Sequence, residues 1–268
     1  MKAVLSIAGS DCSGGAGIQA DIKAMTMNGV YAMTAITALT AQNTTGVSAI
    51  MEVPPEFLEG QLEMIFEDIP PQAVKIGMIP SATLMETVAS VLTRYQPPNI
   101  VIDPVMVATS GSALMERSAL QTLKKRLFPL AALITPNIPE AQALSGVTIQ
   151  QREDMEAAAR IIWEECQRPV LVKGGHLLQG AEPDLLKTTN DLLYSKEGAQ
   201  WFCGPRIHNS NTHGTGCTLS STIAANLAKG QRLEEAVSGA KDYVRQALAA
   251  MLDLGQGRGP LNHLFALQ

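Results

Sequence analysis

The sequence predicts an α/β protein whose mostly parallel central sheet is covered by helices on both faces. Three observations support this fold class. Short apolar segments typical of strands alternate with segments of helical periodicity along the whole chain. The connections are short, and no long linker, low-complexity tract or internal repeat interrupts the alternation. The 268 residues, 46% of them hydrophobic, can bury a sizeable core, so we expect one doubly wound domain over residues 1–268.

The first part of the chain contains predicted strands and helices in turn. Apolar runs predict strands at residues 3–9, 31–43, 73–78 and 100–106, and a more exposed strand at 45–53. Helical spacing predicts helices over residues 16–29, 54–69 and 81–95. Ser81, at the start of the third helix, belongs to a residue type that caps helices. One face of the second helix is expected to be apolar and carries Phe57, Leu58, Leu62, Ile65 and Phe66.

The second part of the chain continues the pattern. Strands are predicted at residues 131–137 and 169–175, and the segment 191–207 alternates around a turn-like KEG and predicts a hairpin. Helices are predicted over the remaining periodic segments: 118–130, 138–146, 153–166, the small-residue run that ends at Gly230, and 233–251.

Composition excludes several classes of function. The net charge is −5 and only 4% of residues are aromatic, which argues against a nucleic-acid or membrane surface as the partner. The four cysteines form no CxxC pair and, with four histidines, show no metal-ligand spacing. A reducing, cytoplasmic location is therefore expected. The N-terminal apolar run is too short for a signal peptide, and no apolar stretch reaches membrane-spanning length.

Glycines and polar residues gather where the first strands are predicted to end, the edge at which such sheets bind ligands. The segment SDCSGGAGIQADIKA holds Gly14, Gly15 and Gly17 but neither a GxGxxG nor a GxxxxGK[ST] motif. It is either a tight turn or a loop whose backbone packs on a small ligand, with Asp21 as an acceptor for a ring amino or hydroxyl group. Gln42 either is a solvated strand end or presents its amide to a heteroaromatic ring edge.

Acidic and basic residues end the later strands. Asp103 follows IVI, and Glu140 follows Asn137 by three residues. Acids beside a phosphate site indicate Mg²⁺ held largely through water, although Glu140 is also explained as a first-turn acid favoured by the helix dipole. Lys173 ends an apolar strand, where a charge needs an anionic partner. That partner is a triphosphate or a structural salt bridge.

The segment NTHGTGCTLSS places a glycine turn and a cysteine directly before a predicted helix. Backbone N–H groups over 214–217 would form an anion-binding site that the helix dipole reinforces. The alternative for Cys217 is a plain buried thiol. The neighbouring glycines favour the anion site.

Seven segments together resemble the bacterial hydroxymethylpyrimidine/phosphomethylpyrimidine kinases of thiamin biosynthesis, in the ribokinase-like superfamily. They run in order along nearly the whole chain: AGSDCSGGAGIQADIKA, TALTAQNT, VKIGM, VIDPVMVATSG, TPNIPEA, VLVKGGH and HGTGCTLSS. The resemblance implies a three-layer α/β/α sandwich that is usually a homodimer. The sequence departs from the family pattern at Cys12, where members usually carry proline.

The resemblance also implies the ligand sites. A pyrimidine would occupy a pocket of the first glycine loop and neighbouring strands, with Gly9, Asp21, Gln42, Met78 and Val105. ATP would lie across the later strands at Asn137, Lys173, Thr215 and Gly216. Mg²⁺ would be held near Asp103 and Glu140, mainly through phosphate and water.

Catalysis is expected at Gly214, Thr215, Gly216 and Cys217, together with Lys173. Where the wider superfamily carries an aspartate base, this chain has Cys217, whose thiol pKa of about 8.5 is lowered at helix N-termini. Two phosphorylations are implied, of a hydroxymethyl group and then of the phosphate so formed. The first gains roughly 10²–10⁴-fold from a general base. The second acceptor is largely dianionic and needs none. We therefore expect Cys217 to be a weak, near-neutral base that tolerates both acceptors.

Two other functions remain open at the level of sequence. Pyridoxal also carries a hydroxymethyl group on its ring, so pyridoxal kinase activity is a rival or a second activity. A non-catalytic nucleotide-binding sensor is the rival from another class. Lys173, Asp103, Glu140 and the glycine turn before Cys217 count against the sensor.

Overall fold

The computed structural model describes residues 1–107, 114, 119–175 and 188–267 and shows a three-layer α/β/α arrangement around one nine-stranded sheet. The strand order is β3-β2-β1-β4-β5-β6-β7-β8-β9. The six central strands from β2 to β7 are parallel, whereas β3, β8 and β9 run antiparallel to their neighbours. The strands are β1 Ala3–Asp11, β2 Tyr31–Asn43, β3 Gly46–Glu52, β4 Ala73–Ile76, β5 Ile100–Ile102, β6 Leu133–Ile134, β7 Val170–Val172, β8 Thr188–Ser195 and β9 Gly198–Pro205.

Helices pack on both faces of this sheet. Helices α2 to α6 cover one face, and α1, α7 and α8 cover the other. The helices are α1 Gly17–Met27, α2 Pro55–Asp68, α3 Ala82–Tyr95, α4 Ala119–Thr122, α5 Ile138–Ser145, α6 Arg152–Cys166, α7 Thr215–Ala228 and α8 Leu233–Ala249.

The central strands are apolar throughout because both of their faces are buried. In β5, Ile100 and Ile102 pack under α2 to α6, while Val101 between them packs under α7 and α8. The fold class predicted from the alternation of strands and helices is therefore confirmed. The parallel strands carry their carboxyl ends to one edge of the sheet, and this edge positions the site.

Three local predictions differ from the structure. Phe57 is 64% exposed, so the buried face of α2 consists of Leu58, Leu62 and Phe66. The Ser81 hydroxyl donates to Glu52 at 2.7 Å instead of capping α3. The helix expected over 118–130 is one α-helical turn followed by a wider turn and a short 3₁₀ segment that contains Pro129.

Within the described ranges, no helix combines the length and the apolar character that a membrane span requires.

Candidate active site

A cleft of about 1020 Å³ opens along the carboxyl ends of the parallel strands. All but one of the residues that the sequence singled out for ligand binding or catalysis line it: Gly9, Gln42, Met78, Asp103, Val105, Asn137, Glu140, Lys173, Gly214, Thr215, Gly216 and Cys217. These residues lie up to about 200 positions apart in the chain, and the sheet topology brings them together.

The N-terminus of α7 forms the floor of the cleft. Gly214 precedes the helix with φ +83°, in the left-handed region, and a side chain there would collide with the carbonyl oxygen of Gly15. No side chain caps the helix. The N–H groups of Gly216 and Cys217 therefore remain available to an anion, whereas that of Thr215 donates to the Thr212 carbonyl oxygen at 3.3 Å. The helix dipole favours negative charge at this point.

Cys217 lies in the first turn of α7, on the wall of the cleft. Desolvation raises the pKa of its thiol to about 11; the charge of Lys75 opposes the shift, and those of Asp21 and Asp103 add to it. A backbone hydrogen bond from Gly17 also opposes the shift. The thiol is thus protonated at neutral pH. This corrects the expectation of a near-neutral base, because burial and two carboxylates outweigh the charge of Lys75 and the hydrogen bond from Gly17.

Asp21 is the predicted ligand-binding residue that does not line the cleft. It is fully buried and holds Lys75 Nζ at 2.8–2.9 Å through both carboxylate oxygens. The hydroxyls of Ser6 and Ser221 donate to the same carboxylate at 2.6 and 2.7 Å. Three donor groups make four hydrogen bonds to this carboxylate and saturate it, so it is not an acceptor for a pyrimidine amino group. Burial lowers the pKa of Lys75, but the charge of Asp21 overcomes this effect and the net shift is upward.

Lys173 and Asp103 form a second ion pair, and this pair faces the cleft. The Lys173 ammonium lies 2.6 Å from Asp103 Oδ1, and the two side chains are 12% and 2% exposed. Burial lowers the pKa of Lys173, but the charges of Asp103 and Glu140 raise it, with a net upward shift. The sequence left open a phosphate ligand or a salt bridge for this lysine. The structure shows the salt bridge, on the wall where an anion would enter.

Glu140 and Asn137 form a capping box at the start of α5. The Asn137 side chain accepts from the Glu140 N–H at 2.9 Å, and the Glu140 carboxylate accepts from the Asn137 N–H at 2.7 Å. Desolvation raises the pKa of Glu140 to about 7; the charge of Lys173 lowers it, and that of Asp103 raises it. The interpretation of Glu140 as a first-turn acid of the helix is therefore confirmed. Its side chain also lines the cleft, and its role towards Mg²⁺ stays a prediction.

These residues define what a metal ion would find here. The described residues contain no group of three or more His, Cys, Asp or Glu side chains placed to hold a metal. Asp103 and Glu140 are the acidic side chains near Lys173. Two carboxylates suit Mg²⁺, which keeps most of its water and is bound through one or two protein acids plus substrate phosphates.

The opposite end of the cleft is more apolar. Met78, Ala38 and Leu114 form a small buried cluster, with Val105 packed against it. A side chain at Gly9 would collide with the methyl group of Met78, so backbone rather than side chain lines the cleft there. This end offers a flat ligand an apolar wall.

Sequence reasoning gave no role to His213, although it directly precedes the glycine turn. Its Nε2 lies 2.7 Å from Asp11 Oδ2 and 3.3 Å from Gln42 Nε2. Desolvation raises the pKa of Asp11, but hydrogen bonds, that of His213 foremost, lower it to about 2. The backbone N–H groups of Gly15 and Ala16 also donate to Asp11. Asp11 therefore holds the first glycine loop against the segment that leads into α7.

Cys12, the departure from the family pattern, has a structural role. Its thiol donates to the Gln42 carbonyl oxygen at 3.0 Å and accepts from the Gln42 N–H at 3.3 Å. This exposed thiol fastens the glycine loop to the end of β2.

Comparison with known proteins gives one family. The family model described as phosphomethylpyrimidine kinase matches residues 11–262. The thiamine biosynthesis bifunctional protein ThiED of Geobacter sulfurreducens is 49% identical over 99% of this chain, which spans 53% of that longer protein. A hydroxymethylpyrimidine/phosphomethylpyrimidine kinase of Haemophilus influenzae is 43% identical over 98% of this chain and 97% of its own length.

Solved structures agree with the fold. The phosphomethylpyrimidine kinase of Clostridium difficile is 42% identical and superimposes with a TM-score of 0.80 over 92% of this chain and 99% of its own. An ADP complex of Bacillus subtilis pyridoxal kinase is 35% identical, with a TM-score of 0.89 over 100% of this chain and 99% of its own.

Proposed function

The chain belongs to the phosphomethylpyrimidine kinase family, and from this premise we propose that it phosphorylates 4-amino-5-hydroxymethyl-2-methylpyrimidine and then the resulting monophosphate, with ATP as the donor. The product diphosphate is used in thiamin biosynthesis. One observation in this chain supports the proposal above all others. An uncapped helix N-terminus and the Lys173 ammonium face one cleft whose other end is apolar.

The geometry suits phosphoryl transfer, in which catalysis is mostly positioning and charge stabilisation. The N–H groups of Gly214, Gly216 and Cys217 would hold the transferred phosphoryl group, and Lys173 would neutralise charge beside it. The acceptor ring would lie between Gly9, Met78 and Val105, with its polar edge at the Gln42 amide.

Cys217 enters this proposal as a neutral thiol. With its pKa at about 11 it removes no proton from the alcohol in the first step. In the second step it places no negative charge beside a dianionic acceptor phosphate, as an aspartate would. The thiol thus completes the wall of the site at no electrostatic cost to either acceptor.

Mg²⁺ is part of the proposal. Asp103 and Glu140 would hold it, largely through water, and the ion would supply positive charge to the donor phosphates. The chain's own contribution is to hold Asp103 beside Lys173 and to orient Glu140 through Asn137.

We also propose a cytoplasmic homodimer, as the family resemblance implies. Exposed apolar side chains on the β2–β3 edge of the sheet, among them Leu39, Ile50 and Met51, support a contact between copies. Light scattering coupled to gel filtration tests the dimer, and a monomer at micromolar concentration would contradict it.

The activity is tested with the purified chain, ATP, Mg²⁺ and each acceptor in separate reactions. We expect ADP release with the hydroxymethylpyrimidine and with its monophosphate, and a diphosphate product visible by phosphorus NMR. ATP binding without acceptor-dependent ADP release would instead indicate a nucleotide sensor. Release with the alcohol alone would restrict the proposal to its first step.

Pyridoxal kinase is the second candidate, favoured by the likeness to the Bacillus subtilis enzyme over the whole chain. A competition assay with both acceptors and limiting ATP separates the two. We expect the pyrimidine to be consumed first. Preferential consumption of pyridoxal would reverse the assignment.

A further inference from the structure

Arg206 lies just beyond the end of β9 and lines the same cleft. Its Nη1 donates to the carbonyl oxygen of Gly175 at 3.1 Å. Its Nε and Nη2 are buried and have no hydrogen-bond partner in the part of the chain that the structure describes. Two donors of one guanidinium group are therefore withdrawn from water and left unsatisfied.

Three other cations of the cleft are placed differently. Lys173, Lys241 and Arg245 each have a carboxylate oxygen at 2.5–2.6 Å. No described carboxylate lies within ion-pair distance of Arg206, and desolvation lowers the pKa of its guanidinium group. Two buried donors of a cationic group that have neither a counterion nor a hydrogen-bond acceptor are costly. Its free donors form a planar fork, which matches phosphate oxygens.

The position of Arg206 indicates which phosphate it would meet. The carbonyl that it contacts, Gly175, follows β7 two residues after Lys173, and β7 is two strands from β5, where Asp103 lies. With strands about 4.8 Å apart, the guanidinium group lies on the order of 10 Å from the β5 end of the cleft. The acceptor pocket is built on β1, β2 and β4, on the far side of β5. Arg206 thus lies on the donor side of Lys173.

We propose that Arg206 binds the non-transferred phosphates of the nucleotide, which leave as the nucleoside diphosphate. This inference rests on the proposed use of ATP and adds to it a residue for the leaving group. An acceptor phosphate would lie on the other side of the transferred phosphoryl group, towards the pocket of Gly9, Met78 and Val105.

The test is the binding of ADP, AMP and adenosine to wild type and to Arg206→Gln, measured by calorimetry. We expect the Kd for ADP to rise about 10- to 100-fold, the usual effect of losing charge-assisted hydrogen bonds. The Kd for adenosine and for the pyrimidine acceptor should change less than twofold. Arg206→Lys should recover part of the loss, because it restores the charge without the fork.

The melting temperature of the ligand-free protein separates ligand binding from a structural role. Removing an unsatisfied buried cation should leave it at or above that of the wild type. The matched control is Arg245→Gln, at an arginine that lines the cleft but is paired with Asp242 on its own helix. We expect its Kd for ADP to equal that of the wild type.

Three results would overturn the inference: an unchanged Kd for ADP in Arg206→Gln, an equal loss of adenosine binding, or a lowered melting temperature without ligand. Failure of the proposed function has a different signature. If wild type binds ADP but phosphorylates no pyrimidine, the proposed acceptor is wrong while the Arg206 comparison still holds. If wild type binds no ADP, both fail.

Discussion

Two lysine–aspartate pairs lie at the strand ends near Cys217, and they differ in what they leave free. Lys75 and Asp21 are both 0% exposed, and two serine hydroxyls complete the carboxylate shell. Lys173 and Asp103 are joined by a comparable contact, yet the lysine side chain is 12% exposed towards the cleft. The first pair is closed to ligands and the second is accessible.

The difference shows why residue type and strand position do not reveal function by themselves. Lys75 lies one residue before the end of apolar β4, and Lys173 directly follows apolar β7. Strand position alone therefore does not distinguish the two lysines. What separates them is whether the protein has already used their hydrogen-bonding capacity. A saturated pair is part of the core, whereas an accessible pair can take a phosphate as an additional partner.

The largest expected effect is on stability, at the closed pair. Lys75→Met leaves Asp21 as an uncompensated buried charge and should lower the free energy of unfolding by about 3–5 kcal/mol. Urea denaturation monitored by circular dichroism measures this. The folded fraction should keep kcat within about tenfold of wild type, since Lys75 contacts no ligand in the proposed mechanism. An unchanged urea midpoint would show that the pair is not structural.

The next effect is on catalysis, at the accessible pair. Lys173→Met should lower kcat/KM for both acceptors by about 10²–10³-fold, comparable to losing one charge-stabilising donor. Its unfolding free energy should fall less than that of Lys75→Met, because Asp103 keeps contact with the cleft. Steady-state kinetics and urea denaturation of the same preparations test both statements. If Lys173→Met lost more unfolding free energy than Lys75→Met, the accessible pair and not the closed pair would be the structural one.

The third effect is on the relative rates of the two phosphorylations when a charge is introduced at Cys217, near both pairs. Cys217→Asp adds a carboxylate at the wall of the site and should slow phosphorylation of the monophosphate on the order of 10²-fold more than that of the alcohol, through like-charge repulsion. Cys217→Ser is the neutral control and should slow the two steps equally. If Cys217→Asp slowed the two phosphorylations equally, like-charge repulsion would not be the cause.

A smaller effect is expected where α7 approaches the accessible pair. A Cβ at Gly216 would lie 3.2 Å from Lys173 Nζ and 3.3 Å from Asp103 Oδ2, close enough to displace them. Gly216→Ala should therefore lower both activities by about 10- to 100-fold, the cost of misplacing a catalytic group. Gly60→Ala in α2, where a Cβ would meet nothing within 4 Å, should be neutral or slightly stabilising. Wild-type turnover in Gly216→Ala would show that the pair tolerates displacement.

The smallest effect is on the reactivity of the thiol. With a pKa of about 11, Cys217 should be alkylated slowly at pH 7 and faster as the pH rises towards that value. Asp103→Asn removes a charge that raises this pKa, so alkylation at pH 9 should be faster than in wild type. Peptide mass spectrometry separates Cys217 from the exposed Cys12 and Cys203. Rapid alkylation of Cys217 at pH 7 would instead support the expectation that this thiol is a near-neutral base.

Sequence periodicity predicted most of the fold because the central strands are buried on both faces and the helices on one. Prediction was weakest where a contact from another element decides the outcome. Ser81 is an ordinary capping residue, but Glu52 of β3 takes its hydroxyl. Phe57 was expected on the apolar face of α2 with Leu58 and Phe66, yet it points to solvent while they do not.

The site shows the same division. The glycine turn before Cys217 predicted an uncapped helix N-terminus, because only glycine adopts the left-handed conformation of Gly214 next to another backbone. The protonation state of the Cys217 thiol was predicted wrongly, because its pKa depends on charges carried by α1, β4 and the end of β5. Arg206 gave no signal in the sequence, because only the folded chain shows that its donors are buried and unsatisfied.

The sequence by itself therefore determined the α/β architecture, the family and the set of segments that meet at the site. Each follows from local properties: hydrophobic periodicity, glycine conformation and motif order. Only the tertiary structure decided which lysine is closed to ligands, which thiol is protonated and which arginine has buried donors without a partner among the described residues. Those properties depend on desolvation and on the distances between charges from distant segments, and both come into existence only when the chain packs.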